Sequence, residues 1–368
     1  PARRPGWHGV VVEAGRIKSE PHPVLVMKDK PAARLYFGAM HGHTLDCDGS
    51  FPAVEHFDYA RHIAGLDFCS CGSHAEYFGT RRAWTEYLRA ATRAHAPGKF
   101  VTFYGYEWAG EGHTNAYFIR ESDVVNIYGK RILHGRHPAD NPPFRIPCNR
   151  ERRFLRLLKR LSCPRLAIAH FHARYVDPVD TEVLRLHEVY SMHQQNKRDE
   201  MLRDVLARGI RVGVVACSDT HRLPLGSLCP DPDRMWKQPF FFDGLPVSQS
   251  IQKKCGIQGT FAANLSRRAL WDAMHDRHTY GTTGARMVVM FDVNGARMGQ
   301  VLHAEKGTRP TIRARIGGTA PLAEVLLYRY DGKSWTTPFV RRNLRRRFFD
   351  FTFVDRPAAS STIYYLAV

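Results

Sequence analysis

From Arg34 onward, short apolar runs alternate with longer stretches of helical period. The apolar runs that have the length and bounding residues of strands are Leu35–Ala39, Leu66–Cys71, Phe100–Tyr106, Asn115–Ile119, Leu166–Ala169, Glu188–Tyr190 and Val212–Ala216. Helices are predicted between them at Arg81–Ala96, Glu151–Leu161 and Lys197–Arg208, the last ending at the C-cap candidate Gly209. This alternation predicts a βα-repeating, mostly parallel α/β architecture.

A different rhythm begins near residue 284, where strands are separated by turn signals such as Asp331-Gly332. The strands predicted there are Met287–Val293, Thr311–Ile316, Val325–Tyr330, Phe348–Phe353 and Thr362–Val368. They indicate a small all-β unit of the sandwich type. Two strand-like runs near the start, Gly9–Val12 and Val24–Met27, are expected to pair with it. The predicted parts of the chain are therefore residues 1–33, 34–283 and 284–368.

Composition and charge narrow the class of protein. At 43% hydrophobic and 24% charged residues, the 368-residue chain is ordinary for a globular protein and long enough to bury a core. No apolar run is long enough to span a membrane. A net charge of +19 favours anionic partners such as phosphorylated substrates, nucleic acid or an acidic membrane surface, although an arginine-rich proteome would also produce it. The basic clusters at 149–153 and 341–347 lack the interleaved aromatic residues of strong nucleic-acid sites.

The start of the chain and its cysteines leave several properties open. The sequence begins at Pro1 without a signal-peptide pattern, so we expect a processed or trimmed product of open compartment and oligomeric state. The eight cysteines show no zinc-finger spacing. A disulfide among Cys148, Cys163, Cys229 and Cys255 is conceivable in an exported protein, but most cysteines are expected to fill small buried spaces.

The candidate chemistry lies in His, Asp and Glu residues at the ends of the predicted strands. These residues are His41, His43, His74, Glu107, His113, His170, His172, Asp219 and His221. Three of the pairs are two residues apart, and such residues in extended backbone point to one face and can reach one metal ion. In a βα barrel the carboxyl ends of all strands meet on one face, where active sites are built. The sequence therefore predicts a metal centre, and nitrogen and oxygen ligands of this kind suit Zn, Mn or Fe.

These residues lie in runs that resemble the motifs of the PHP (polymerase and histidinol phosphatase) superfamily. The matching runs are 36–44, 66–76, 105–108, 169–170 and 218–221. Other runs resemble the uncharacterised DUF3604 branch of that superfamily, namely His74–Tyr77, Gly105–Trp108, Gly112–Asn115, Glu188–Ser191 and Tyr280–Arg286. The similarity spans roughly residues 34 to 300.

The superfamily resemblance implies a distorted (β/α)7 TIM-like barrel with two or three divalent ions. Carried over by motif, one ion would be held by His41, His43, Glu107 and Asp219. A second ion, to which Glu107 bridges, would be held by His113 and His170. A third would be held by His74 and His221, with Asp48 from the loop after the first motif. His172 would compete with His170 or contact the substrate.

Two positions depart from the superfamily motifs. Ala39 stands where Asp is usual, and Ser73 stands where Asp usually precedes His74. Each of these carboxylates would more often orient a ligand than bind metal directly. Since all the proposed direct ligands are present, we favour a working enzyme over a degenerate site.

The resulting hypothesis is a metal-dependent phosphoesterase that hydrolyses a small phosphomonoester or phosphodiester with a hydroxide bridging two ions. Glu107 would be essential to turnover, Arg222 would clamp the phosphate, and His172 or His193 would protonate the leaving group. Two alternatives stay open: the same chemistry on a carboxylic ester, amide or lactone, and a catalytically silent barrel that binds a polyanion. A nuclease role is motivated by charge alone.

Overall fold

The protein has a mixed α/β fold with many strands and few helices. A computed structural model describes residues 4–78, 80–109, 113–124, 151–169, 181–191, 198–221, 223–227, 241–242, 245–246, 255–305, 307–357 and 361–368. The α-helices in these ranges are α1 (Ala53–Asp58), α2 (Arg81–Ala94), α3 (Glu151–Lys159), α4 (Arg198–Ala207) and α5 (Arg267–His275). None of the described helices is both long and apolar enough to cross a membrane.

The first strands form two antiparallel ribbons. They are β1 (Gly6–Val10), β2 (Glu13–Ala14), β3 (Ile17–Lys18) and β4 (His22–Val26). Strand β1 pairs with β4, and β2 pairs with β3. Trp7 of β1 stacks on Phe348 with ring centroids 5.2 Å apart, and its Nε1 donates a hydrogen bond to Asp350 (2.8 Å). The N-terminal ribbon therefore contacts the C-terminal strands through side chains.

The central part contains two five-stranded sheets. Its strands are β5 (Arg34–Ala39), β6 (Phe68–Cys69), β7 (Val101–Thr102), β8 (Tyr104–Ala109), β9 (His113–Phe118), β10 (Arg165–Ala169), β11 (Leu184–Tyr190), β12 (Gly213–Ala216), β13 (Phe241–Phe242), β14 (Leu245–Pro246), β15 (Ile257–Ala262) and β16 (Thr279–Thr282). The sheet orders are β16-β15-β5-β6-β7 and β12-β11-β10-β9-β8. Phe103 alone separates β7 from β8, and Thr279 in β16 donates a hydrogen bond to the Val214 carbonyl of β12 (2.9 Å). The two sheets thus adjoin at both edges.

Parallel and antiparallel pairs are mixed in both sheets, whereas the sequence pattern predicted a mostly parallel arrangement. Strands β5, β6 and β7 run parallel, as do β10, β11 and β12. Strand β9 is antiparallel to both β8 and β10, and β15 is antiparallel to β5. Only residues 110–112 connect β8 to β9, and a parallel crossover needs a dozen or more residues. The reversed β9 consequently begins, at His113, beside the end of β8.

Apolar side chains hold the central sheets and helices together in two clusters. One cluster joins both sheets and includes Met40, Phe68 and Ile168. The other packs the helices against the strands and includes Trp84 of α2 and Phe154 of α3. Helix α2 begins after Thr80, whose side chain accepts a hydrogen bond from the Ala83 N–H, as an N-cap does. Because the helices pack against the sides of the strands, the ends of the strands are left for polar side chains.

The C-terminal strands form two sheets around a separate apolar core. They are β17 (Val288–Val293), β18 (Ala296–Arg297), β19 (Thr311–Gly317), β20 (Glu324–Tyr330), β21 (Trp335–Arg342), β22 (Phe348–Val354) and β23 (Ile363–Ala367). The orders are β18-β17-β19-β22 and β21-β20-β23, and Ile312, Ile316 and Leu327 lie in the core. The sequence pattern did not predict β21, which contains Pro338 and lies at a sheet edge, where proline is tolerated. The boundaries at residues 33 and 283 stay a prediction.

Six cysteines fall in the described part of the chain, namely Cys47, Cys69, Cys71, Cys163, Cys217 and Cys255. Cys69, Cys71, Cys217 and Cys255 are buried, as expected for small core residues. Of the four conceivable disulfide partners, Cys163 is a free thiol and Cys255 is buried. The other two, Cys148 and Cys229, lie outside the described residues.

Candidate metal centre

The His41-Gly42-His43 run follows the carboxyl end of β5 and is tied to the segment after β12. The His43 N–H donates to the Thr220 carbonyl (2.8 Å), and the Asp219 N–H donates to the His41 carbonyl (3.0 Å). Asp219 has a left-handed backbone, with φ of 52°, which is uncommon outside glycine. Two segments far apart in sequence therefore present their side chains to one buried space.

Nitrogen and oxygen atoms of these and neighbouring side chains form three groups, each able to hold a metal ion. The groups are His41, His43, Glu107 and Asp219; His74, Glu107 and His113; and His43, Asp48, His74 and His221. Within each group the candidate ligand atoms all lie within 4.8 Å of one another. Glu107, His43 and His74 each belong to two groups, so the three groups form one continuous centre.

Glu107, in β8, connects two groups through its two carboxylate oxygens. Its Oε2 lies 3.0 Å from His41 Nε2 and 3.1 Å from His43 Nε2. Its Oε1 lies 2.6 Å from His113 Nδ1, because the β8–β9 hairpin places His113 opposite the end of β8. A carboxylate with its oxygens on two sides is suited to bridging two ions.

Asp48 connects the groups on the other side of His43. Its Oδ1 lies 3.2 Å from His43 Nδ1, and its Oδ2 lies 3.3 Å from His221 Nε2 and 3.7 Å from His74 Nε2. The imidazoles of His43 and His221 stack with centroids 3.8 Å apart. Asp48 therefore faces nitrogens of three imidazoles, and imidazole together with carboxylate is a donor set that binds divalent metal ions.

The electrostatics of the centre reflect burial opposed by close charges. Burial would lower the pKa of His41, but the carboxylates of Asp219, Glu107 and Glu188 outweigh it and raise that pKa from 6.5 to about 9. Burial lowers the pKa of His74 from 6.5 to about 3, despite the neighbouring Glu107. His74 is therefore neutral at physiological pH, with a nitrogen lone pair available for a ligand.

The donor set fits divalent ions of the Zn, Mn or Fe type. The candidate ligands are imidazoles and carboxylates, which these ions prefer. His74 Nδ1 is buried and has no hydrogen-bond partner among the described residues, although it lies 3.7 Å from Glu107 Oε2. Such an orphaned buried nitrogen is costly unless something else satisfies it, and a metal ion would do so.

Eight of the nine sequence-predicted ligands, Asp48 among them, fall into the three groups, with two differences in membership. The second group contains His74 beside Glu107 and His113, and the third contains His43 in addition to the expected residues. His170, His172, His193 and Arg222 lie outside the described residues, so their predicted roles stay predictions.

The two positions that depart from the superfamily motifs have different surroundings. Ser73 binds the loop after His43, since its Oγ accepts from the Thr44 N–H (3.0 Å) and lies 2.9 Å from the Thr44 hydroxyl. Ala39 is fully buried in the apolar cluster. Neither Ser73 nor Ala39 supplies a carboxylate. The described ligands are therefore brought together without the two carboxylates that the motifs usually have at these positions.

Sequence reasoning assigned no role to Glu188, Ser191 or Asn115, which contact the candidate ligands. Glu188 Oε2 and Asn115 Nδ2 each lie 3.1 Å from His41 Nδ1. Ser191 donates to Asp219 Oδ2 (3.3 Å). Glu188 and Ser191 both lie in a run noted for its resemblance to DUF3604, and that run was the available signal.

The resemblance to DUF3604 is confirmed by the model of that family, "Protein of unknown function (DUF3604)", which matches residues 55–119 and 243–312. An uncharacterized protein of Chlamydia pneumoniae is 22% identical over 323 residues, covering 81% of this chain and 48% of the relative. The chain thus spans about half the length of that curated relative.

Two solved structures are similar to the chain at low identity. One is a two-domain protein of Bacteroides vulgatus that contains a predicted PHP-like metal-dependent phosphoesterase, with 14% identity, a TM-score of 0.45, and coverage of 92% of this chain and 90% of that one. The other is the lesion-specific endonuclease EndoQ of Pyrococcus furiosus, with 12% identity, a TM-score of 0.39, and coverage of 66% and 56%. TM-scores below 0.5 establish neither a shared barrel nor a shared activity.

Proposed function

We propose that the protein is a metal-dependent hydrolase of phosphoesters. The observation that carries the proposal is the placement of Glu107, whose two oxygens face different candidate metal groups within one buried cluster of imidazoles and carboxylates. Divalent ions held there would supply Lewis acidity and lower the pKa of bound water.

Some of the candidate ligands of this centre are buried, and others are accessible to solvent. The side chains of His41 and Glu107 are at most 1% exposed, whereas those of His113 and His221 are 35% and 19% exposed. The substrate would therefore approach from the His113 and His221 side. The buried carboxylates keep their negative charge away from the approaching substrate, and the net charge of +19 favours an anionic substrate.

The finer fold is part of the same proposal. Two five-stranded sheets that adjoin at both edges are compatible with a closed, distorted (β/α)7 barrel. In such a barrel the carboxyl ends of the parallel strands would surround the centre. His41 after β5 and Asp219 after β12 follow this rule.

A substrate panel tests the proposed reaction. The protein is stripped with a chelator, loaded separately with Zn and Mn, and assayed on phosphomonoesters, phosphodiesters, carboxylic esters and lactones. We expect metal-dependent turnover of phosphoesters that is absent from Glu107→Gln. Turnover confined to carboxylic esters or lactones would replace the phosphoesterase proposal with the second hydrolase hypothesis.

Nucleic acid is a second candidate ligand, favoured by one surface. Arg341 and Arg346 lie over the rings of Phe339 and Phe349, at 4.6 and 4.8 Å from the ring centroids. Among the described residues, no carboxylate lies within 4.0 Å of these two arginines. Aromatic residues thus lie beneath a basic cluster that appeared from sequence to lack them, and DNA affinity that falls steeply with salt is its expected signature.

A further inference from the structure

A buried carboxylate outside the three ligand groups lies behind His41. Glu188 is in β11, its side chain has no solvent exposure, and its Oε2 is 3.1 Å from His41 Nδ1. Burying an ionised carboxylate is costly unless a charged or hydrogen-bonded partner compensates. His41 is such a partner, so the contact stabilises both side chains.

The two nitrogens of His41 have different surroundings. Nε2 faces the ligand group, 3.0 Å from Glu107 Oε2 and 3.4 Å from Asp219 Oδ1. Nδ1 faces Glu188 on the other side of the ring. An imidazole that binds a metal through Nε2 carries its proton on Nδ1, and a carboxylate that accepts a hydrogen bond from this N–H fixes both the tautomer and the ring orientation.

The same strand also orients a second candidate ligand. Ser191, directly after β11, donates to Asp219 Oδ2, while Asp219 Oδ1 faces His41 and His43. Neither Glu188 nor Ser191 belongs to any of the three groups. Strand β11 and the residue after it therefore contact the candidate ligands with side chains that orient them, and they supply no ligand to the three groups.

We propose that Glu188 is a positioning residue, which fixes His41 with its proton on Nδ1 and strengthens Nε2 as a metal ligand. The inference rests on the proposed metal-dependent function. It also explains how His41 is oriented in a chain that has Ala39, with no carboxylate, two residues before it. The Asn115 amide also lies at this nitrogen and can accept from a protonated Nδ1 only by turning its Oδ1 toward it, an atom with no partner among the described residues, but a neutral amide cannot supply the negative charge.

Metal affinity tests the proposal independently of turnover. Glu188→Gln keeps the shape and an acceptor oxygen but removes the charge. We expect its affinity for Zn, measured on the full chain by competition with a chromogenic chelator, to fall about 10- to 100-fold. The matched control is Glu182→Gln, since Glu182 precedes the same strand, is exposed and pairs with Lys159 and Arg165. Its affinity should equal that of the wild type.

A double-mutant cycle separates positioning from a general structural role. If Glu188 acts through His41, Glu188→Gln should cause no further loss of affinity in a His41→Ala background. An undiminished loss in that background, or wild-type affinity in Glu188→Gln itself, would overturn the proposal.

A spectroscopic measurement on the wild type tests the proposal without relying on a variant that folds. In the Zn-loaded wild type, ¹⁵N NMR of the imidazoles should show His41 protonated on Nδ1, and protonation on Nε2 would overturn the proposal. The two proposals fail separately. Reduced metal affinity in Glu188→Gln, together with a metal-loaded wild type that turns over no phosphoester, contradicts only the proposed reaction. Unchanged affinity with turnover contradicts only the role of Glu188, and a wild-type chain that binds no metal contradicts both.

Discussion

Glu107 and His113 face each other across the β8–β9 hairpin, with Oε1 of the carboxylate 2.6 Å from Nδ1 of the imidazole. The pairing depends on the reversed direction of β9, which places the start of this strand beside the end of β8. The short hairpin thereby supplies two candidate ligands that are close in sequence. Parallel strands joined by helices would separate such ligands by many more residues.

His113→Ala should remove one ion from the centre and leave the others. His113 belongs only to the group with His74 and Glu107, so we expect the bound metal, measured by elemental analysis, to fall by about one equivalent. The exposed His62 provides the control variant His62→Ala, which should bind as much metal as the wild type. Equal metal content in His113→Ala and the control would contradict the assignment.

Gly49→Ala should disrupt the loop that carries His43. A Cβ at Gly49 would lie 2.0 Å from the His43 carbonyl oxygen, and the Gly49 N–H donates to the Thr44 carbonyl (2.9 Å). Backbone cannot move aside as a flexible side chain does, so the loop must shift. We expect metal affinity to fall at least tenfold while the circular dichroism spectrum is retained.

The control for this variant is Gly9→Ala in β1, where an added Cβ would meet Pro21 at an ordinary 3.4 Å. Wild-type metal affinity in Gly49→Ala would mean that the loop tolerates the shift and that its geometry matters less than we infer.

Asp355→Asn should destabilise the C-terminal sheets. Asp355 accepts hydrogen bonds from buried Arg329 (3.0 and 3.1 Å) and from the Tyr364 hydroxyl (2.8 Å). Removing the charge leaves a buried guanidinium uncompensated, at a cost of about 3–5 kcal/mol in the free energy of unfolding. Urea unfolding measures it.

The exposed pair Arg268–Asp272 supplies the comparison, because Asp272→Asn breaks an ion pair of similar length (3.0 Å) at the surface. Its effect should stay below about 1 kcal/mol. Similar losses in the two variants would show that burial of the Arg329 pair is unimportant.

The stability of the protein should fall on acidification partly through His95. Its Nδ1 accepts a hydrogen bond from the Thr102 N–H (3.3 Å), and burial together with the charge of Arg267 lowers its pKa from 6.5 to about 4. Between these values the unfolded chain binds a proton that the folded chain does not. This contribution to stability is therefore complete above pH 6.5 and is lost as pH falls toward 4.

His95→Asn keeps an acceptor but cannot titrate. The free energy of unfolding in urea, measured at several pH values, should fall less steeply for His95→Asn than for the wild type between pH 6.5 and 4. Parallel curves would contradict the role of His95.

The sequence predicted much of the strand content but not how the strands run. Local hydrophobic patterns indicate β5, β10 and β12, because each is a short, mainly apolar run that is followed within two residues by polar ones. The sequence pattern predicted a mostly parallel arrangement and did not identify β9 as a reversed strand, because pattern alone does not report direction, although the short connection after β8 does. Strand β21 was missed because Pro338, in the middle of the run, argues against a strand.

The candidate ligands were easier to predict than the groups that hold them. His41 and His43 are two residues apart, and spacing of this kind is visible in the sequence. Glu188 lies 147 residues from His41, and only the folded chain brings it to the Nδ1 side of that ring. Contacts of this type depend on the packing of the sheets, which no local pattern encodes.

The most direct test of a metal-dependent centre is the number of metal equivalents bound by the wild type and by Glu107→Gln, measured side by side by elemental analysis after loading with Zn or Mn. Glu107 belongs to two of the three groups. We therefore predict about two or three equivalents in the wild type and a loss of at least one in the variant, with the fold retained. No bound metal in the wild type, or equal metal in both proteins, would contradict the account.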